Sequence, residues 1–137
     1  MSIKQVIVMR KDLNMRKGKI AAQAGHACVA ALVKAASVNN SYLNWNFKED
    51  KIECIGKNNR YINDWLNNNF TKICVYVESE EELLKIKEQG DKLHLISAII
   101  TDNGLTEFHG QKTLTCLAFE PLPNEIIDKI TGNLKLY

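Results

Sequence analysis

Lys19, Gln23 and His26 recur at steps of four and three in a stretch otherwise rich in Ala, Ile, Leu and Val. That spacing puts an amine, an amide and an imidazole on one stripe of a helix. Such a stripe suits a polar cleft; a solvent-facing stripe is the alternative, since most helices show one polar face. Lys19 falls in the first helical turn, where the macrodipole disfavours a cation. An anion held there together with the free backbone N–H groups, a phosphate or an oxyanion, would give it a reason. Farther along, Thr101, Asp102, Asn103 and Gly104 end an apolar segment with a turn signature, which places Asp102 and Thr106 beyond a strand terminus, where open α/β sheets hold their ligands. A plain turn-forming role for Asp102 is the alternative.

The elements that must position these groups follow from periodicity. Residues 3–9 are apolar and β-branched enough for a buried strand, and a turn with Asp12 and Asn14 leads into a helix over about 17–36. Residues 37–69 carry ten asparagines and isolated aromatics without a sustained period, so they read as an excursion with short helices. Strands are expected at 70–77, 95–100 and 113–119, and a helix over about 78–92 whose Glu-rich start complements its own dipole. A short helix capped by Asn124 runs to about Ile130. Strands separated by helices predict a three-layer α/β/α sandwich. The short link between the third and fourth strands makes its small, four-stranded sheet mixed.

Composition narrows the function classes. With 137 residues, 45% apolar, the chain fits one domain spanning 1–137 with 37–69 as a variable excursion. The longest apolar run, Ala27 to Val33, is short of the roughly 18 residues of a membrane helix, so no span is expected, and the N-terminus reads as a strand rather than a targeting segment. The cytoplasm is the expected location. Cys28, Cys54, Cys74 and Cys116 stand singly and read as reduced core residues. No His, Cys or carboxylate group has ligand spacing, so neither metal nor cofactor is expected. Gly-rich phosphate loops and a Gly-x-Ser-x-Gly elbow are absent. Residues 1–19 hold Lys4, Arg10, Lys11, Arg16, Lys17 and Lys19 against Asp12 alone, a local excess that suits phosphates, with solvated lysines as the alternative.

At these residues the sequence resembles the archaeal and eukaryotic type of peptidyl-tRNA hydrolase, type II. The match runs from Lys4 to Leu13, through Lys17 to Gln23 with His26 and Ala27, through Val77 to Ser79, through Asp102 to Thr106 with Thr115, and through Asp128 to Leu136. The resemblance implies a metal-independent esterase, often a homodimer, that releases tRNA from a nascent peptide. Its partner is peptidyl-tRNA, not DNA and not a membrane. Carried over by position, its functional residues are Lys19, Gln23, His26, Asp102, Thr106 and Thr115. In this sequence Asn103 replaces an alanine, His109 to Lys112 replace a Pro-Gly, and Glu120 puts an acid where the family offers only backbone, near the RNA.

On that footing Asp102 positions or deprotonates a water and Lys19 stabilises the oxyanion or an adjacent phosphate. Thr106 and Thr115 orient water or substrate. Gln23 and His26 anchor the terminal nucleotide or hold Lys19 and Asp102 in register. Arg10, Lys11, Arg16 and Lys17 contact tRNA phosphates without reading sequence. The rival reading is a non-catalytic tRNA-binding or protein-interaction module on the same fold.

Overall fold

A computed structural model describes residues 2–57, 59–104 and 108–137, apart from the side chain of Arg60. In chain order the elements are β1 (Ile3–Arg10), α1 (Lys17–Val38), β2 (Ser41–Asn46), β3 (Lys51–Gly56), α2 (Arg60–Asn67), β4 (Lys72–Val77), α3 (Glu80–Lys92), β5 (Ser97–Asp102), β6 (Thr113–Phe119), β7 (Leu122–Pro123) and α4 (Asn124–Thr131). The main sheet runs β4-β1-β6-β5, and the two-residue β7 adds to β1 as a fifth strand. β1 and β4 are parallel, whereas β6 is antiparallel to both β1 and β5. The sheet is mixed, as the short β5-to-β6 link predicts. Consequently β1, β4 and β5 all point the same way, and their carboxyl ends share one edge.

Alternation along the strands separates two apolar layers. Val6, Val8, Val75, Val77, Leu117 and Phe119 face α3 and α4, where Leu83, Ile86, Ile127 and Ile130 meet them. Ile7, Met9, Cys116 and Ala118 face α1 through Ala27 and Ala31. The small residues let α1 lie close to the sheet. By length and composition α1 is apolar enough to cross a membrane; here it is a core helix packed on β5 and β6. Ser79 caps α3 by accepting from the Glu82 amide at 3.0 Å, while the Glu82 carboxylate accepts from the Glu78 amide. The acidic run therefore builds a helix start.

The segment 37–69 departs from expectation. Instead of short helices alone it forms an antiparallel hairpin, β2 with β3, followed by α2. Cys54, Ile62 and Trp65 then pack beneath Leu32, Ala35 and Ala36 of α1. Only Ser41 and Cys54 of the hairpin strands are buried, so no apolar alternation announces them. All four cysteines are free. Burial pushes the Cys116 thiol up to about 12 and that of Cys74 to about 11, which leaves both unreactive.

Candidate active site

The first turn of α1 contains no acidic residue, and no side chain caps it, so the positive end of its dipole needs an anion from elsewhere. β5 supplies one. Its last residue, Asp102, receives Lys19 Nζ at 2.5 Å and Gln23 Nε2 at 3.2 Å on Oδ1. Its Oδ2 accepts the Gly104 amide at 2.8 Å, the two-residue reach of an Asx turn. The Lys19 and Asp102 side chains are only 17% and 14% exposed. Hydrogen bonding from Lys19 holds the Asp102 carboxyl below its ordinary range, with the Gly104 amide, the Lys19 charge and Gln23 adding to this against partial burial.

Gly104 permits this arrangement. It adopts φ +78°, and a Cβ there would stand 2.3 Å from the carbonyl oxygen of Gln111. The Phe108 ring faces Lys19, its centroid 5.9 Å from Nζ. Sequence reasoning missed Phe108, a lone aromatic in a polar turn with no periodicity to mark it.

The expected residues divide. Lys19, Gln23 and Asp102 converge. His26 continues the same helical stripe but is exposed, and its side chain makes no hydrogen bond among the described residues. Seven residues beyond Lys19, it is about 10 Å farther along the axis. Thr115 is fully buried. It occupies the irregularity of β6, where Ile100 pairs with Cys116 and Thr101 with Leu114. The Thr115 hydroxyl donates to Cys116 Sγ, which in turn meets the Gln23 carbonyl oxygen at 3.5 Å. Thr106 lies outside the described residues.

The basic cluster divides as well. Arg10 grips Asp12 through Nε and Nη2 at 3.1 and 2.6 Å and donates to the Leu114 carbonyl. Its guanidinium therefore braces the turn before α1. Lys11, Arg16 and Lys17 are exposed around that turn. Glu120 is not at this edge: its carboxylate accepts the Ile96 amide at 2.6 Å just before β5 begins, six residues or roughly 20 Å from Asp102 along the strand. Burial raises its pKa, against the hydrogen bond from Ile96.

Fold and site together define an α/β/α domain with an ion-paired lysine and aspartate at the carboxyl edge of its sheet, beside a basic turn. Residues 3–137 match the family model described as peptidyl-tRNA hydrolase PTH2. The chain belongs to this family. Among curated relatives, the peptidyl-tRNA hydrolase of Thermococcus sibiricus is 40% identical over 97% of this chain and 96% of its own. Those of Saccharolobus solfataricus and Sulfurisphaera tokodaii are 38% and 40% identical, over 98% and 99% of both chains. A solved structure of a protein of unknown function from Agrobacterium tumefaciens has TM-score 0.55 at 10% identity, covering 100% of this chain and 98% of that one, and is similar in fold alone.

Proposed function

We propose that this chain hydrolyses the ester joining a peptide, or an N-blocked aminoacyl group, to tRNA. The observation that carries the reading is the ion pair of Lys19 with Asp102, oriented by Gln23 and Gly104, in a chain of this family. A carboxylate has about four acceptor positions; among the described residues three donors reach Asp102, and a water is the further partner this reading requires. Because its pKa is depressed, Asp102 is a weak proton acceptor, which favours orienting the water over deprotonating it. An ammonium has three donors, so pairing with Asp102 is compatible with Lys19 also binding the developing oxyanion. Water adds to the ester carbonyl and the carbon–oxygen bond to ribose breaks. One proton of that water ends on the ribose oxygen, and the acyl group leaves as the acid.

Gln23 holds the carboxylate in register. Thr115 shapes the backbone under Gln23 through Cys116, Thr106, four positions after Asp102, is a further hydroxyl for water or substrate, and the exposed His26 is available to a distal part of the substrate. Lys11, Arg16 and Lys17 supply phosphate contacts, with Arg10 bracing their turn. The reaction belongs in the cytoplasm, where tRNA is recycled. Exposed Val29 and Val33 on α1 and Tyr42 on β2 are consistent with pairing of two copies, which light scattering would decide. The test of function is release of free tRNA from N-acetyl-aminoacyl-tRNA. Cleavage by wild-type protein that Asp102→Asn abolishes while tRNA still binds is expected; binding without any cleavage by wild type would mean a non-catalytic module.

A further inference from the structure

Lys19 and Asp102 account for the ester and leave the RNA's bases unaddressed. A second cluster on the same sheet edge takes no part in that chemistry. Lys11 Nζ stands 4.4 Å from the ring centroid of Tyr76 and 5.7 Å from that of Tyr137. The two rings meet edge to face, with centroids 6.0 Å apart and planes at 82°.

Backbone pairing fixes the cluster in place. Lys11 donates its amide to the Val77 carbonyl, continuing the register of β1 with β4. Leu136 bridges Val75 in antiparallel fashion, Tyr137 donates to Cys74, and Tyr76 donates to Lys135. The tail thereby covers the open edge of β4, a service any side chain at 137 could render through its backbone. Yet position 137 presents a ring that is 42% exposed beside an exposed lysine. Tyr76 alternates with Val75 and Val77, so it stands on the sheet face that α1 covers farther along. Across the β4-β1-β6-β5 path Tyr76 lines up through Met9 and Cys116 with Ile100, so Asp102 lies three strand spacings over and two residues farther along, about 16 Å away.

Paired aromatic rings with a neighbouring cation suit the face of an unpaired base followed by its phosphate, and stacking of this kind tolerates any base. We propose that Tyr76, Tyr137 and Lys11 form a stacking platform for an unpaired base of the RNA substrate, upstream of the ester held at Lys19 and Asp102. The proposal rests on the reading that the substrate is an acylated tRNA.

The test compares kcat/KM for N-acetyl-aminoacyl-tRNA with that for the N-acetyl-aminoacyl ester of adenosine alone, which carries no upstream base. In Tyr137→Leu and Tyr76→Leu the ratio of the two falls about tenfold, through KM for the tRNA substrate, and Tyr137→Trp restores it. A ratio unchanged in both Leu variants, or an equal loss on both substrates, overturns the platform. Should the Leu variants fail to fold, photocrosslinking of wild-type protein to tRNA bearing a 4-thiouridine in its unpaired end decides. Adducts on Tyr76 or Tyr137 support the platform, and adducts confined to α1 overturn it. Wild-type protein that cleaves neither substrate refutes the hydrolase reading and the platform with it. Cleavage of both substrates with an unchanged ratio refutes the platform alone.

Discussion

Removing the ammonium by Lys19→Ala separates chemistry from folding, because the two effects differ in size. A preorganised donor to a developing oxyanion is worth roughly 3–4 kcal/mol, so kcat should fall by about 100-fold or more. The effect on stability is smaller. The pair is mostly shielded, at 17% and 14% exposure, which puts it between exposed pairs, at about 0–1 kcal/mol, and buried ones, at about 3–5 when one partner is removed. Asp102 keeps Gln23 and the Gly104 amide as donors, and the helix dipole no longer opposes a cation in the first turn, which offsets about 0.3–1 kcal/mol. A net loss of about 1 kcal/mol remains. For 137 residues, an unfolding entropy of about 2.1 cal/mol/K per residue turns that into a Tm decrease of about 3–4 °C. The assay is single-turnover release of tRNA from N-acetyl-aminoacyl-tRNA at saturating protein, alongside thermal melting by circular dichroism. A rate within about threefold of wild type would refute the assignment. A melting decrease beyond about 10 °C would show instead that the pair's role is structural.

Four further outcomes follow from the same geometry. Because folding lowers the Asp102 pKa, the ion pair's stabilisation is complete above the unfolded value, near 4, and is lost as pH falls through the lower folded value; urea titrations should therefore show Asp102→Asn less stable than wild type at pH 6, with the gap closing as pH falls below the ordinary carboxylate range. The acid limb of the rate profile should lie below the ordinary carboxylate range in wild type and move upward in Lys19→Ala, and identical limbs would contradict the pairing. Gly104→Ala forces a side chain into a φ of +78° and against the Gln111 backbone, so hydrolysis should drop at least tenfold as the turn holding Asp102 shifts; unchanged turnover would show that the turn does not set the site. In α3, a Cβ at Gly90 would come 2.5 Å from the ring of Phe119, itself fully buried, so Gly90→Ala should cost about 1–3 kcal/mol in chemical denaturation without altering the pH profile.

What could be read along the chain was whatever a local period or a quoted motif records. The alternation of β1 and β6, the Ala-rich stretch of α1 and the capped, acidic start of α3 each bury one face through near neighbours, and the fold carries them with shifts of a few residues. The common face of Lys19 and Gln23 was equally local, since helical spacing alone creates it. Tertiary structure decided what that face meets. Asp102 reaches Lys19 across 83 positions only because β5 runs parallel to β1 and ends at the same edge. Arg10 is withdrawn from the basic cluster by Asp12 and the Leu114 carbonyl, and Tyr137 reaches Tyr76 only when the tail pairs with β4. Short-range sterics and burial write a period into the sequence, whereas contacts between distant segments depend on strand order and direction, which no single segment encodes.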